Sequence, residues 1–216
     1  MRIPSVDRQD GGPRRARATV FRRGLSVAIL LLSGCTAHIP QSTPLPSLSD
    51  VARPAAYADL CRREPQLCRV DAAAGGTTTI AVDRASFERI AAVNRAVNAE
   101  ISYTSDSQVF GQTEFWARPD GAGDCEDFAI LKLERLLAEG FPRRALRLAI
   151  AVRPDGLLHA VLTVKTDRGT YVLDNNHAEP QPWHKLGYSG WRWENPGQQA
   201  WLSRERGGFL EATAAY

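Results

Sequence analysis

The strongest constraint on this chain is a change of hydrophobic period at its centre. Gly121-Ala-Gly-Asp-Cys125-Glu-Asp leads from a glycine-rich turn into an apolar-periodic stretch that Gly140 closes, which predicts an amphipathic helix beginning at Cys125. Phe128, Leu131 and Leu136 supply its inward face, and Lys132, Glu134, Arg135 and Glu139 fall largely outside it. Immediately downstream the period becomes that of strands, over Ala145–Val152, Leu157–Val164 and Thr170–Asp174. A chain of 216 residues with 44% hydrophobic and 24% charged residues can fill one good core around these elements.

The last two strands read as a hairpin. Thr166-Asp-Arg-Gly169 supplies turn residues, and a loop of even length sets residue n opposite residue 335 − n. Asp174 then faces Val161, on the same side of the sheet as His159 and roughly 7–8 Å from it along the diagonal, a gap that the two side chains can close. An odd loop would put them on opposite faces.

Cys125 would occupy the first turn of its helix. There the free N–H groups and the positive end of the dipole favour a thiolate. Asp124, Glu126 and Asp127 push the other way, because neighbouring negative charge disfavours a second anion. A histidine counter-ion or a bound hard cation could offset them. Alternatively, Asp124 is an N-cap with Asp127 as its reciprocal partner, around an inert thiol. A Cys on a helix N-terminus, followed by His and Asp on adjacent strands, is the arrangement of thiol enzymes, in which the Cys attacks, the His moves its proton and the Asp orients the ring. The backbone N–H of Cys125 could contribute one oxyanion donor.

The amino-terminal region reads as an address. Arg22 and Arg23 precede the apolar run 24–32, which is too short to span a bilayer and ends Leu32-Ser-Gly-Cys35, so residues 1–34 are an export signal with a lipobox-like end. A lipid on Cys35 would hold the protein to a membrane; a plain secretory signal is the alternative. Residues 35–55 are rich in Pro and Ser and read as a flexible tether, leaving 56–216 as the folded domain. The first 34 residues hold seven Arg against two Asp, a charge of +5 within a total of +3, so the remainder carries −2 and offers nucleic acid no attraction. Cys61 and Cys68 stand seven apart; unbroken helix would separate their Cα atoms by roughly 10 Å, too far for a disulfide, unless Pro65 breaks it. A bond there and two free thiols are equally open.

Taken together, Gly123-Asp-Cys-Glu-Asp127, preceded by Trp116-Ala-Arg-Pro119, then His159-Ala-Val-Leu162, Val172-Leu-Asp-Asn175, Val93-Asn-Arg-Ala-Val-Asn98, Ile101-Ser-Tyr103 with Asp106, and the Cys61/Cys68 segment resemble the bacterial transglutaminase-like cysteine proteinases, the LapG-type periplasmic proteases. The resemblance implies an α+β papain-like core with the nucleophile helix packed on an antiparallel sheet, and Cys125, His159 and Asp174 in the triad positions. It further implies calcium held by Asp124 and Glu126, with Asp127, backbone oxygens or water completing the shell. By the same resemblance the substrate is a large surface adhesin and the regulator an inner-membrane receptor that senses cyclic di-GMP. Departures from the pattern are the lipobox and the compact 119–122 stretch. Acyl transfer to an amine and a non-catalytic, calcium-dependent envelope binding protein are the alternative functions.

Smaller expectations follow. Asn94 and Asn98 share a face of the helix that Asp83 caps, where they bond neighbouring loops or lie in solvent. The five tryptophans pack in the core, with Trp116 a possible groove wall. His177 and His184 lack zinc-site spacing.

Overall fold

Residues 38–70, 77–198 and 200–204 are described by a computed structural model; the expected export signal over 1–34 and Cys35 lie outside the described residues. At its centre stands the expected hairpin. Strands β5 (Leu158–Thr166) and β6 (Gly169–Leu173) pair antiparallel with Leu162 opposite Leu173 and Thr166 opposite Gly169, the 335 − n register. Only two residues, Asp167 and Arg168, form the loop, and Gly169 takes a left-handed φ of 108°.

Around this hairpin a seven-stranded antiparallel sheet is built. Its other members are β1 (Ser49–Val51), β4 (Leu146–Val152), β7 (Gln181–Pro182), β8 (Ser189–Asn195) and β9 (Ala200–Ser203), in the order β1-β9-β8-β4-β5-β6-β7. Ahead of it in the chain come helices α1 (Ala55–Arg63), α2 (Pro65–Cys68), α3 (Arg84–Glu100) and α4 (Asp106–Val109), then α5 (Cys125–Ala138), which begins at Cys125 as expected. A separate two-stranded parallel piece joins β2 (Ser102–Tyr103) to β3 (Ala122–Gly123). Helix α5 packs on β5 and β4, and α3 packs on α5. The fold is therefore α+β, with the Cys125 helix on an antiparallel sheet.

Being sandwiched changes α5. Lys132, expected outside, is fully buried, because α3 covers the side of the helix that the charge pattern assigned to solvent. Its Nζ has no hydrogen-bond partner and lies 5.9 Å over the Phe128 ring. Phe128, Leu131 and Leu136 are buried as the period requires. Gly140, at φ 84°, ends the helix by donating to Leu137 O, while Phe141 N–H reaches Leu136 O. Asp83 caps α3 in a reciprocal box with Ser86.

Pro65 does break the first helix. Glu64 leaves helical geometry, α2 restarts at Pro65, and Cys61 and Cys68 come to a Cα separation of 5.5 Å and are bonded. Trp116 is 2% exposed and packs against Tyr57 and Trp201, so it is core and not a groove wall. Below that aromatic group, Glu194 of β8 accepts from Tyr57 and Arg143, tying α1 to the sheet.

From residue 38 onward the tether reading fails. Thr43 O accepts the Thr170 N–H, Ser42 Oγ donates to Thr170 O, Pro40 O accepts the Tyr171 hydroxyl, and β1 extends the sheet beside β9. Leu45 and Leu48 pack against Trp191, Trp193, Val161 and Val172 on the second face of the sheet. Proline removes donors and helical periodicity but leaves carbonyl oxygens and apolar side chains, and these are what the segment uses. Among the described residues no helix is long and apolar enough to cross a membrane.

Candidate active site

The site forms where β5 begins, β6 ends and α5 starts. Asp174, one residue beyond β6, accepts from His159 Nε2 at 2.8 Å on Oδ1, as the shared sheet face requires. Its Oδ1 also takes the Asn176 N–H at 2.8 Å, and its Oδ2 takes the Tyr188 hydroxyl at 2.7 Å and lies 3.2 Å from His177 Nδ1. Burial alone would raise this carboxyl, but the His159 contact, the Asn176 N–H and the Tyr188 hydroxyl hold it far below the usual range. Tyr188 is pushed up in turn, by its own burial and then by Asp174.

Asn94 and Asn98 take the loop-bonding role. Asn98 Nδ2 donates to Asp174 O and His177 O, and Asn94 Nδ2 to His177 O and Ala178 O, so one face of α3 holds the 174–178 loop in place. Asn176 Nδ2 sits 3.1 Å from His159 Nε2, and the Tyr188 ring stands edge-on to the imidazole at 6.0 Å. Neither Asn176 nor Tyr188 was marked in the sequence; the turn following Thr170–Asp174 was the available signal for the first, and nothing local marked the second.

Cys125 is the first residue of α5, 6% exposed, and shares a cavity of about 310 Å³ with His159, Tyr103, Leu157 and Asn176. The Ala160 N–H donates to Sγ at 3.3 Å, and the thiol donates to Glu126 Oε2 at 3.3 Å. Burial, followed by the charge of Glu126, pushes the thiol well above its ordinary value. The imidazole shares the cavity but is not a hydrogen-bond partner of the sulfur; such contacts in free enzymes commonly tighten only when substrate is bound.

The acidic residues do not form the reciprocal cap. Asp124 makes no side-chain cap bond; its Oδ2 accepts the Asp106 N–H at 3.1 Å, while Asp127 Oδ1 accepts the Ala117 N–H at 2.9 Å. Ligand atoms of Asp106, Glu126 and Asp127 lie within 4.8 Å of one another, as do those of Asp124, Cys125 and Glu126. All four carboxylates are buried, and Asp106 Oδ1, Asp124 Oδ1 and Asp127 Oδ2 have no partner. Burial, and after it the hydrogen bond and charge of Asp124, raises Glu126 strongly; burial, with the charges of Asp106 and Asp124, raises Asp127 to about 7. Buried, unpartnered carboxylate oxygens converging at one point are the donor set that a hard dication takes, so the residues fit calcium. Asp106, which the sequence offered as part of the resemblance and not as a ligand, is brought in by α4. Gly123 allows this convergence: an added Cβ would lie 2.5 Å from Asp127 Oδ2.

The profile described as bacterial transglutaminase-like cysteine proteinase (BTLCP) matches residues 48–206. The chain belongs to that family. The family is one of cysteine peptidases, and this member carries its α+β, transglutaminase-like fold. Among solved structures, the calcium-bound LapG of Legionella pneumophila is similar to this proteinase at 26% identity over 57% of this chain and 72% of that one, with a TM-score of 0.48. The EGTA-treated LapG of the same organism matches at 25% identity, over 56% and 69%, with a TM-score of 0.47. A further Legionella pneumophila LapG structure matches at 28% identity, over 47% and 60%, with a TM-score of 0.42. No curated protein matches the chain.

Proposed function

We propose that this proteinase is exported, is held at a membrane by a lipid on Cys35, and hydrolyses a peptide bond in an envelope or cell-surface protein through Cys125, His159 and Asp174 with calcium bound. The observation that carries the reading is the 2.8 Å contact of His159 Nε2 with a buried Asp174, beside the cavity that Cys125 lines. Asp174 keeps the proton on Nε2 and leaves Nδ1 basic. Nδ1 takes the thiol proton as Sγ attacks the scissile carbonyl; the same proton goes to the departing amine, and water then cleaves the thioester. The Ala160 N–H, already on Sγ, stabilises the thiolate.

Asp106, Asp124, Glu126 and Asp127 would hold the calcium, whose charge offsets the carboxylates that now oppose a thiolate. The calcium-bound and EGTA-treated forms of Legionella pneumophila LapG support this assignment. The Cys61–Cys68 disulfide supports an oxidising compartment such as the periplasm. A large surface adhesin as substrate and an inner-membrane receptor as regulator belong to the same reading. Replacing Cys125 by Ala should abolish turnover with the fold intact, read as the loss of new amino termini across the envelope proteome; cleavage that persists at the wild-type rate overturns the proposal. Chelation should lower activity, and re-addition of calcium should restore it.

A further inference from the structure

The two-stranded piece beside the nucleophile has an unused side. Ser102 N–H donates to Gly121 O at 3.0 Å and Thr104 N–H to Gly123 O at 2.9 Å, so β2 spends the peptide groups of alternate residues on β3. Alternation turns the N–H and C=O of Tyr103, the residue between them, to the opposite edge. That edge pairs with no strand of either sheet among the described residues. Tyr103 is 61% exposed and lines the cavity with Cys125 and His159; Leu157, 48% exposed, lines it too. Gly123, paired with Tyr103, is two residues from the sulfur. An open edge this close to the nucleophile is where a scissile bond must pass on its way to Sγ.

Resting on the peptidase reading above, we propose that Tyr103 is the main-chain anchor for substrate: an extended peptide pairs with it through two hydrogen bonds, one from the Tyr103 N–H and one to the Tyr103 C=O, and lies along β2 as an added strand. Occupancy follows from the chemistry of the family. A peptidase must take a peptide whose backbone is accessible, and extended backbone is the form that both exposes the bond and satisfies a strand edge. Leu157 then offers apolar contact to a side chain of the bound segment. The substrate class is a linker or unfolded stretch, and a helical or folded segment is refused until it opens.

The test uses acetyl-trialanine chloromethyl ketone, which alkylates the thiol with loss of chloride, and the same probe N-methylated at one interior amide at a time, with calcium present. One methylated position should lower the rate of Cys125 labelling by about two- to tenfold, the worth of one hydrogen bond. Tyr103→Pro, which deletes the N–H and suits an edge strand, should lower the ratio of the peptide-probe rate to the iodoacetamide rate by a similar factor. Equal rates for all methylated and unmethylated probes overturn the anchor. Failure of iodoacetamide to label wild-type Cys125 strikes the nucleophile reading instead. The anchor is then read from the Tyr103 amide resonance of the Cys125→Ala protein as acetyl-trialanine amide is added: a saturable shift supports pairing, and an unmoved resonance rejects it.

Discussion

Two buried carboxylate sites flank the cavity, and they differ in who satisfies them. Asp174 is served by its own fold: the His159 ring, the Asn176 N–H and the Tyr188 hydroxyl share its two oxygens, with His177 Nδ1 near by, and Asn98 fixes its backbone. The cluster of Asp106, Asp124, Glu126 and Asp127 is left incomplete, with three buried oxygens unpartnered. Both sites are buried, so desolvation opposes charge in each. At the first the donors outweigh burial, whereas at the second burial raises Asp106, Glu126 and Asp127. A fold that completes one carboxylate and leaves three of four clustered acids with an unpartnered oxygen makes charge at the second site costly unless a cation is bound there.

The sharpest way to break this comparison is at Asp174. Asp174→Ala should lower kcat/KM by about three to four orders of magnitude, because the imidazole loses both its orientation and its counter-charge, and steady-state kinetics will read it. The same carboxyl carries a pH signature. Its folded pKa is depressed, so its stabilisation is present above the unfolded value of about 3.9 and is lost as pH falls towards the folded value; acid unfolding of Asp174→Asn should lack that component.

At the incomplete site the expected effect is next in size. Calcium at a hundredfold excess over Kd should stabilise the protein by about 2.7 kcal/mol in thermal melts, and Asp106→Asn should remove most of that gain while leaving the chelated protein little changed. A gain of equal size in Asp106→Asn would place the cation elsewhere.

Lys132 sharpens the contrast from the positive side. Burial lowers its pKa to about 7, with the charge of Asp174 opposing the shift. The unfolded chain binds the proton up to about 10.4, so the stability of the wild type should rise between pH 7 and 10. Lys132→Met should stabilise by about 1–3 kcal/mol at pH 6 and by less at pH 10, in denaturant titrations at the two pH values. The smallest effect belongs to Asn98→Ala, about 1 kcal/mol of stability with a modest fall in kcat, because Asn94 still holds the 174–178 loop.

What was legible in the sequence was local. A two-residue loop and a period of two put His159 and Asp174 on one face, and a glycine turn with a closing Gly140 marked the Cys125 helix. What escaped depends on elements meeting across the chain. Tyr188 looks like an ordinary surface residue until it is bonded to Asp174, and Asp106, noted only within the resemblance, joins the carboxylates only once α4 is folded. Lys132 was misassigned because charge on a helix normally marks the wet side, and here a second helix occupies it. The segment from residue 38 was misread because proline-rich composition describes what a chain cannot do alone, and says nothing of a strand edge that waits for it.

That docked segment sets a leash. Ile39 is already buried and Pro40 already bonded to Tyr171, so under the proposed anchor a lipid on Cys35 would stand four residues from Ile39, a contour length of at most about 14 Å. If so anchored, the enzyme would work only on chains that thread within one body-width of the bilayer, and where a target emerges from the membrane would govern its cleavage as firmly as the target's sequence does.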